Sequence, residues 1–478
     1  MVSTGLENAI VTGLVTGSVV ALGAIGLALV YSIAEVPNFA HGELLMLGAY
    51  AALFVNQPGT VPLFDLLATG TQSVGPAGFA VLFVLGAGAT LGAVYLLGGW
   101  DALRGGWWPV DVPPALAVAV HVVAAALVGT AVVVGTPSIW AGLLLAAVLL
   151  AVVAPLFEKY VFAKFRVKDA SLATMLIVAL GLSFVLRFGT QAIYGGQIRS
   201  YQIPRTVQLF GAELGLSAAK FFDFYLTNAG VVLDVIDTGP QNNPSILTAG
   251  YSWLAVAAVI VVTALVAVVA HRWRAGGAGA LGTNQTVGPR LTGALAGLVV
   301  FVVLAAVLAG GASVPGTAFY DTRIRLSLMR AAVIVIAVLM MASLHVLLKQ
   351  TKLGTAMRAA SGNMDLAKVT GINTDRVMMA TWIIAGSFAA VGGVMLGVLF
   401  NQVNVNMGFF LLLPMFAGVI LGGIGSVYGA ILGSFIVGLA MDGGIYLTGL
   451  GSVYRIPIAF VVLLVVLLVK PEGITGGA

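Results

Sequence analysis

Three side chains able to bind a small polar ligand, Asn38, His41 and Glu43, fall together in Val36-Pro37-Asn38-Phe39-Ala40-His41-Gly42-Glu43, at the head of a long apolar run. An amide and an imidazole give and take hydrogen bonds, and a carboxylate takes a cation. Polar groups inside lipid are costly, so these are expected to face a cavity or a neighbouring helix. Pro37 suits a helix start, where free N–H groups and the helix dipole favour an anion such as a substrate carboxylate. Glu43 would repel that anion when ionised, which assigns it to helix pairing or to a substrate ammonium. Asn38, Phe39, His41, Gly42 and Glu43 are therefore candidates for lining a polar path or cavity, the alternative being an interfacial cap. Catalytic chemistry finds little support. No G-x-x-x-x-G-K-[ST] loop is present to hold ATP, and there is no cysteine. The four histidines, His41, His121, His271 and His345, stand singly, so no metal site is expected. Glu43 and Asp442 read as isolated carboxylates and not as an acid/base pair.

The second stretch with chemical content is the polar interruption at 349–376, KQTKLGTAMRAASGNMDLAKVTGINTDR. Leu353, Met357, Ala360, Met364 and Ala367 recur at steps of three and four, which predicts an amphipathic helix, or two short ones broken at Gly362. Asn363 suits the N-cap of the second piece, Asp365 suits its first turn, and Gly371 would end it. The apolar face needs something to receive it.

The elements that hold these stretches are membrane spans. The chain is 60% hydrophobic and only 8% charged, against roughly 25% charged residues in soluble domains. The fold expected is all-α, a polytopic transmembrane helical bundle of about 11–13 hydrophobic segments. They fall near 10–32, 38–56, 76–98, 114–135, 138–157, 171–190, 251–271, 291–311, 328–348, 377–400, 408–424, 427–447 and 455–470. The piece at 408–424 is short enough to be a half-helix. Lys159, Lys164, Arg166 and Lys168, then Arg272 and Arg274, then Lys349 and Lys352 place the ends of alternate spans, and with them 349–376, on the cytoplasmic side. Residues 191–250 then form an external loop, a partly structured lid ending in the loop-like Gly239-Pro240-Gln241-Asn242-Asn243-Pro244. Arg323, Arg325 and Arg330 count against this topology. No cleavable signal is expected, because the first apolar run is long enough to span. The 62 glycines point to close helix packing, and the net charge of +5 to loop cations and not to nucleic acid.

Asn38 to Tyr50, N-F-A-H-G-E-L-L-M-L-G-A-Y, resembles the start of the second span in branched-chain amino-acid ABC transporter permeases. Gly17-Ser18-Val19 and Gly26 to Tyr31 resemble the first span of that family. Gly354 to Ala359, followed by Asn363, Asp365, Ala367 and Gly371-Ile372-Asn373-Thr374-Asp375-Arg376, is similar to its ATPase-coupling loop. Leu421 to Ser434, with Gly422, Gly423 and Gly425, resembles its glycine-rich late span, where small residues either pack helices or line the path. Glu158 to Leu182 resembles the junction of its third and fourth spans. Tyr454-Arg455 and Lys470-Pro471-Glu472-Gly473 resemble its end, with Lys where Arg is usual. The resemblance covers most of 5–56, 155–195 and 326–475. Residues 76–135 and 251–325 read as inserted helix pairs, and Asp321-Thr322-Arg323-Ile324-Arg325 has no counterpart.

The resemblance implies a permease subunit in the plasma membrane that is not itself an enzyme and binds no cofactor. ATP and Mg would be held by two cytoplasmic ATP-binding subunits. The other partners implied are a homologous second permease and an external solute-binding protein. The residues it assigns to ATPase coupling are Gly354, Ala356, Met357, Arg358, Ala359, Asn363, Asp365, Ala367, Gly371, Ile372 and Asp375. A permease of the same family for urea, short amides or another small solute stays open. An ion-coupled secondary carrier is a weaker alternative, since such carriers keep intramembrane ion ligands that this chain offers sparsely.

Overall fold

The computed structural model describes residues 5–34, 38–106, 112–204, 206–209, 212–215, 219–237, 245–277, 289–313, 318–469 and 473–475. In chain order the first helices are α1 (Leu6–Ala34), α2 (His41–Asn56), α3 (Pro76–Leu96), α4 (Gly99–Leu103), α5 (Pro114–Val134), α6 (Ile139–Phe157), α7 (Ala163–Arg166) and α8 (Leu172–Tyr194). There follow β1 (Thr206–Leu209), β2 (Ala212–Gly215), β3 (Ala219–Thr227), β4 (Gly230–Asp237), β5 (Ser245–Ser252), α9 (Trp253–Gly277), α10 (Pro289–Val307), β6 (Gly310–Gly311) and β7 (Tyr320–Ser327). The chain closes with α11 (Leu328–Gln350), α12 (Lys352–Gly362), α13 (Met364–Val369), α14 (Thr374–Phe400), α15 (Met407–Gly422), α16 (Val427–Thr448) and α17 (Arg455–Val469). Pro37, the stretch 239–244 and Lys470 to Glu472 lie outside the described residues. Among the described residues ten helices are long and apolar enough to cross a bilayer.

Contacts divide the chain into a helical unit, Thr12–Pro204 with Met329–Ala478, and a second unit, Met1–Val11 with Arg205–Leu328. The core of the helical unit gathers around α1, α2, α6 and α14. Helix α1 is buried on almost every side, as its apolar residues on all faces require. Helix α8 is buried only along Met175, Ala179, Ser183, Arg187 and Thr190, a single stripe at steps of four and three. Phe162, just beyond α6, stacks on Trp382 of α14 at 5.4 Å between ring centres. The basic stretch after α6, with Lys159 and with Lys164 of α7, therefore shares one end of the bundle with α12 and α13.

Helix α2 has 16 residues, about 24 Å at ~1.5 Å per residue, and is too short for the ~30 Å of hydrocarbon. The expected span at 38–56 is a partial one. Helix α15 also has 16 residues, as the short segment at 408–424 suggested. The two meet through glycine. A Cβ on Gly42 would lie 2.6 Å from the Gly408 carbonyl oxygen, so any larger residue forces the helices apart.

The second unit departs from a purely helical reading. Five antiparallel strands in the order β6-β5-β4-β3-β7 form a sheet, β1 and β2 form a separate ribbon, and α9 with α10 makes a helical hairpin. A division into a lid at 191–250 and a helix pair at 251–325 does not follow this unit's seams. Strands β3, β4 and β5 come from the first stretch and β6 and β7 from the second, and pairing between distant segments leaves no local signal. Arg323 lies on β7 and is ion-paired within the sheet. Its guanidinium donates to Asp223 Oδ1 at 2.7 Å and Oδ2 at 2.6 Å across neighbouring strands, which holds it above its ordinary pKa. Asn8 at the start of α1 seals the β7 edge, donating to the Arg323 carbonyl at 2.9 Å and accepting from the Arg325 N–H at 2.7 Å.

Candidate functional site

The head of α2 is set by a local turn. The Asn38 carboxamide oxygen accepts from the Ala40 N–H at 3.0 Å, and the His41 N–H donates to the Asn38 carbonyl at 3.1 Å. His41 Nε2 lies 3.0 Å from the carbonyl oxygen of Gly23, just past the midpoint of α1. A carbonyl only accepts, so Nε2 carries the proton and Nδ1 faces the interior without a protein partner. The ring fits because residue 26 is glycine, where a Cβ would lie 2.8 Å from His41 Cε1. The polar start of α2 is thus buried among helices.

Glu43 points the other way, since two helical residues turn the chain through roughly 200°. It is fully buried. Its Oε1 accepts from Ser183 Oγ at 2.9 Å, from Arg187 Nε at 3.0 Å and from Arg187 Nη2, while Oε2 has no protein partner. The Arg187 guanidinium lies over the Phe409 ring at 4.3 Å from its centre. Helices α2, α8 and α15 are therefore tied at one point by an ion pair and a cation–π contact. Phe39 packs on Phe416 at 4.9 Å between ring centres.

Glu43 and Asp442 are not isolated carboxylates. Asp442 Oδ1 accepts from Arg455 Nη2 at 2.8 Å and Oδ2 from Thr16 Oγ1 at 2.7 Å. Arg187 and Ser183 escaped the sequence reading, although a lone arginine inside the apolar run 171–190 was itself a signal. A charge at that depth requires a partner, and Glu43 and Asp442 were the carboxylates available in apolar context. Among the described residues no group of three or more His, Asp or Glu side chains could hold a metal.

The far end of α2 is tied down by polar bonds as well. Asn56 Nδ2 donates to the Pro137 and Gln202 carbonyls, each at 3.0 Å. The Tyr201 hydroxyl donates to the Ala49 carbonyl at 2.8 Å, and burial pushes its pKa up.

The polar interruption forms two short helices as its periodicity predicts, each with a side-chain cap. Thr351 Oγ1 accepts from the Gly354 N–H at 2.9 Å and Asn363 Oδ1 from the Leu366 N–H at 2.8 Å. Asn373 Oδ1 caps α14 through the Arg376 N–H at 2.9 Å, and Gly371 adopts φ 88° in the turn between. The apolar face, however, is already received by this chain. Met357 is 2% and Ala367 3% exposed within the core of the helical unit, and Gly354 packs against the Leu347 and Leu348 backbone. Met357, Gly354 and Ala367 thus cannot be the surface offered to another subunit in this conformation, and Ala356 and Ile372 are half-buried. The reason is geometric, since the turns after α11 and before α14 fold the pair back onto the bundle. Arg358, Ala359, Asn363, Asp365, Gly371 and Asp375 remain exposed, joined by Leu366 at 61% and Val369 at 84%.

Gly422, Gly423 and Gly425 are not gathered with Asn38 and Glu43. They form the turn from α15 to α16, with φ of 107° at Gly423 and 90° at Gly425. That turn borders a cleft of about 430 Å³ shared with Met357 and Arg358 of α12. The candidate path residues therefore occupy two separate places.

The family described as branched-chain amino acid transport system / permease component matches residues 9–102 and 318–469. The high-affinity branched-chain amino acid transport system permease protein LivH of Escherichia coli (strain K12) is 36% identical over 148 residues, covering 31% of this chain and 47% of LivH. BraD of Pseudomonas aeruginosa, a permease protein of the same description, is 34% identical over 151 residues, covering 32% and 48%. The xylose transport system permease protein XylH of Escherichia coli (strain K12) is 31% identical over 94 residues, covering 18% and 24%. The chain spans about half the length of the branched-chain relatives it matches. No solved structure matches it.

Proposed function

Because the chain belongs to the branched-chain amino acid transport system permease family, with over half its residues in the matched blocks, we propose that it is the membrane-spanning subunit of an ATP-driven importer of branched-chain amino acids. It is a multi-pass protein of the cell membrane. In this reading ATP is hydrolysed on two separate cytoplasmic subunits, a second permease completes the path, and an external binding protein delivers substrate.

The observation that carries the reading is the continuity of α14. Its first turn is capped by Asn373, directly after the exposed pair α12 and α13. Further along, a Cβ on Gly48 of α2 would lie 2.4 Å from Ala390 Cα, and one on Gly393 would overlap the Leu45 carbonyl. Ala385 also closes on Gly26, which cradles the His41 ring. A rigid helix gripped this closely at α2 carries a displacement of α12 and α13 to the buried polar groups at the head of α2. Movement there opens and closes the path, and the exposed Leu366 and Val369 are the apolar anchors an ATP-binding subunit would take. A second reading within the family, import of another small solute, is favoured by the similarity to the xylose permease.

The test is uptake into proteoliposomes holding this chain, its second permease, the ATP-binding subunits and the binding protein. ATP-dependent accumulation of leucine, isoleucine and valine is expected, and its loss with Leu366→Asp/Val369→Asp. Preference for urea, a short amide or xylose replaces the substrate assignment. Uptake driven by an ion gradient without the ATP-binding subunits overturns the reading.

A further inference from the structure

We propose that Glu43 and Arg187 form the receptor for the zwitterionic head group of a free amino acid, closed in this conformation; this deepens the transport reading above and rests on it. Three acid–arginine pairs with a buried carboxylate stand among the described residues of the helical unit, and they differ in saturation: at Glu158 each oxygen takes one arm of Arg166, Nη1 at 2.7 Å and Nη2 at 3.2 Å. Both oxygens of Asp442 are occupied, one by Arg455 and one by Thr16. At Glu43 three hydrogen bonds converge on Oε1, and Oε2 is buried with no partner. Arg187 spends Nε and Nη2 on the same oxygen, so the pair forgoes the two-pronged geometry in which a guanidinium satisfies both carboxylate oxygens. A buried acceptor left open beside a guanidinium is unused binding capacity.

Charge balance selects the ligand. Opening a neutral buried pair for a lone anion or cation leaves one charge uncompensated, at high cost in a low-dielectric site. A zwitterion adds one charge of each sign. Its carboxylate takes Arg187, its ammonium takes Oε2 of Glu43, and every charge stays paired. Phe409, half-buried and stacked on the guanidinium, supplies an apolar wall for the aliphatic side chain. Helices α2, α8 and α15 meet here, so occupancy reports to all three. The pair thereby rejects urea, short amides and sugars, which carry no charge to offer.

The test measures binding of radiolabelled leucine to the assembled permease and ATP-binding subunits without the binding protein, so that only the membrane site selects. Competition is by leucine, leucinamide, which lacks the carboxylate, and 4-methylpentanoate, which lacks the ammonium. We expect both analogues to bind weaker by on the order of a hundredfold or more, as for sites built to pair a missing group. Glu43→Gln/Arg187→Gln should abolish leucine binding, while Asp442→Asn/Arg455→Gln retains it. If the first double variant does not assemble, Arg187→Lys decides, because it keeps the charge and loses the planar fork. Weakened leucine binding then supports the receptor. Leucine binding unchanged in the assembled variant, or competition by both analogues as strong as by leucine itself, overturns it. Leucine uptake by the complete wild-type transporter is measured in parallel, and its absence defeats the transport reading itself.

Discussion

The head of α2 and the pair α12–α13 use similar residues to opposite ends. At α2 the polar side chains are hidden among helices. His41 is committed to a carbonyl of α1 and Glu43 to Arg187 of α8, and each keeps one atom without a partner. At α12–α13 the apolar side chains of Met357, Ala360 and Ala367 are hidden, while Leu366, Val369 and the polar residues are exposed, and Asn363 and Asn373 cap helices. On the proposed function, the difference separates where specificity would enter from where force would. Buried polar groups left partly unsatisfied are costly, and a fold that retains them has a use for them. Exposed caps cost little, and the element they shape presents Leu366 and Val369 outward.

The largest separation between the two regions should come from stability. Glu43→Ala leaves Arg187 charged and unpaired inside the bundle, a change worth about 3–5 kcal/mol. Asp365→Ala on exposed α13 should cost no more than about 1 kcal/mol, the upper range of a helix-dipole contact. Thermal unfolding of the detergent-solubilised complex measures both. Similar losses would erase the contrast.

The sequence made one region far more legible than the other. The capping role of Asn363, the break at Gly362 and the turn at Gly371 are local, fixed by residues a few positions apart, and all three are present. The spans from α1 to α17 were readable for the same reason, since hydrophobicity is counted within one window. What the apolar face of α12 packs against was not readable, because periodicity reveals a face and not its recipient. The partner of Glu43 is 144 positions away, and only the cost of a lone arginine in lipid pointed towards it. Strands β3 and β7 are about 100 positions apart at the Asp223–Arg323 bridge. Strand β7 runs straight into the apolar helix α11, and β3 lies in the stretch read as a partly structured external loop, so neither segment signals the sheet by itself.

A second, smaller effect sharpens the contrast within α12–α13. Met357→Ala empties a buried site and should cost about 2 kcal/mol or more. Leu366→Ala, on the exposed side, should stay within about 0.5 kcal/mol yet uncouple ATP hydrolysis from uptake. Unfolding temperature and the ratio of transport to ATPase activity are read on the same samples. If Met357→Ala is neutral in stability and uncouples while Leu366→Ala does neither, the face that meets the ATP-binding subunit has been taken the wrong way round.

The smallest effect compares asparagines. Asn363→Ala removes the bond from the Leu366 N–H to Oδ1 and should cost about 1 kcal/mol, in the range of N-cap losses. Asn363→Asp keeps the acceptor and adds a charge that the helix dipole favours, so it should restore that loss. Asn38 differs, because its Oδ1 holds the Ala40 N–H while its buried Nδ2 has no protein partner. In Asn38→Asp the acceptor survives, but a charge enters a site that is fully buried. The same substitution should therefore be harmless at 363 and damaging at 38, seen as a lowered unfolding temperature only in the second. Equal tolerance at both positions would mean that the head of α2 opens to water, and the cost assigned to its burial would fall with it.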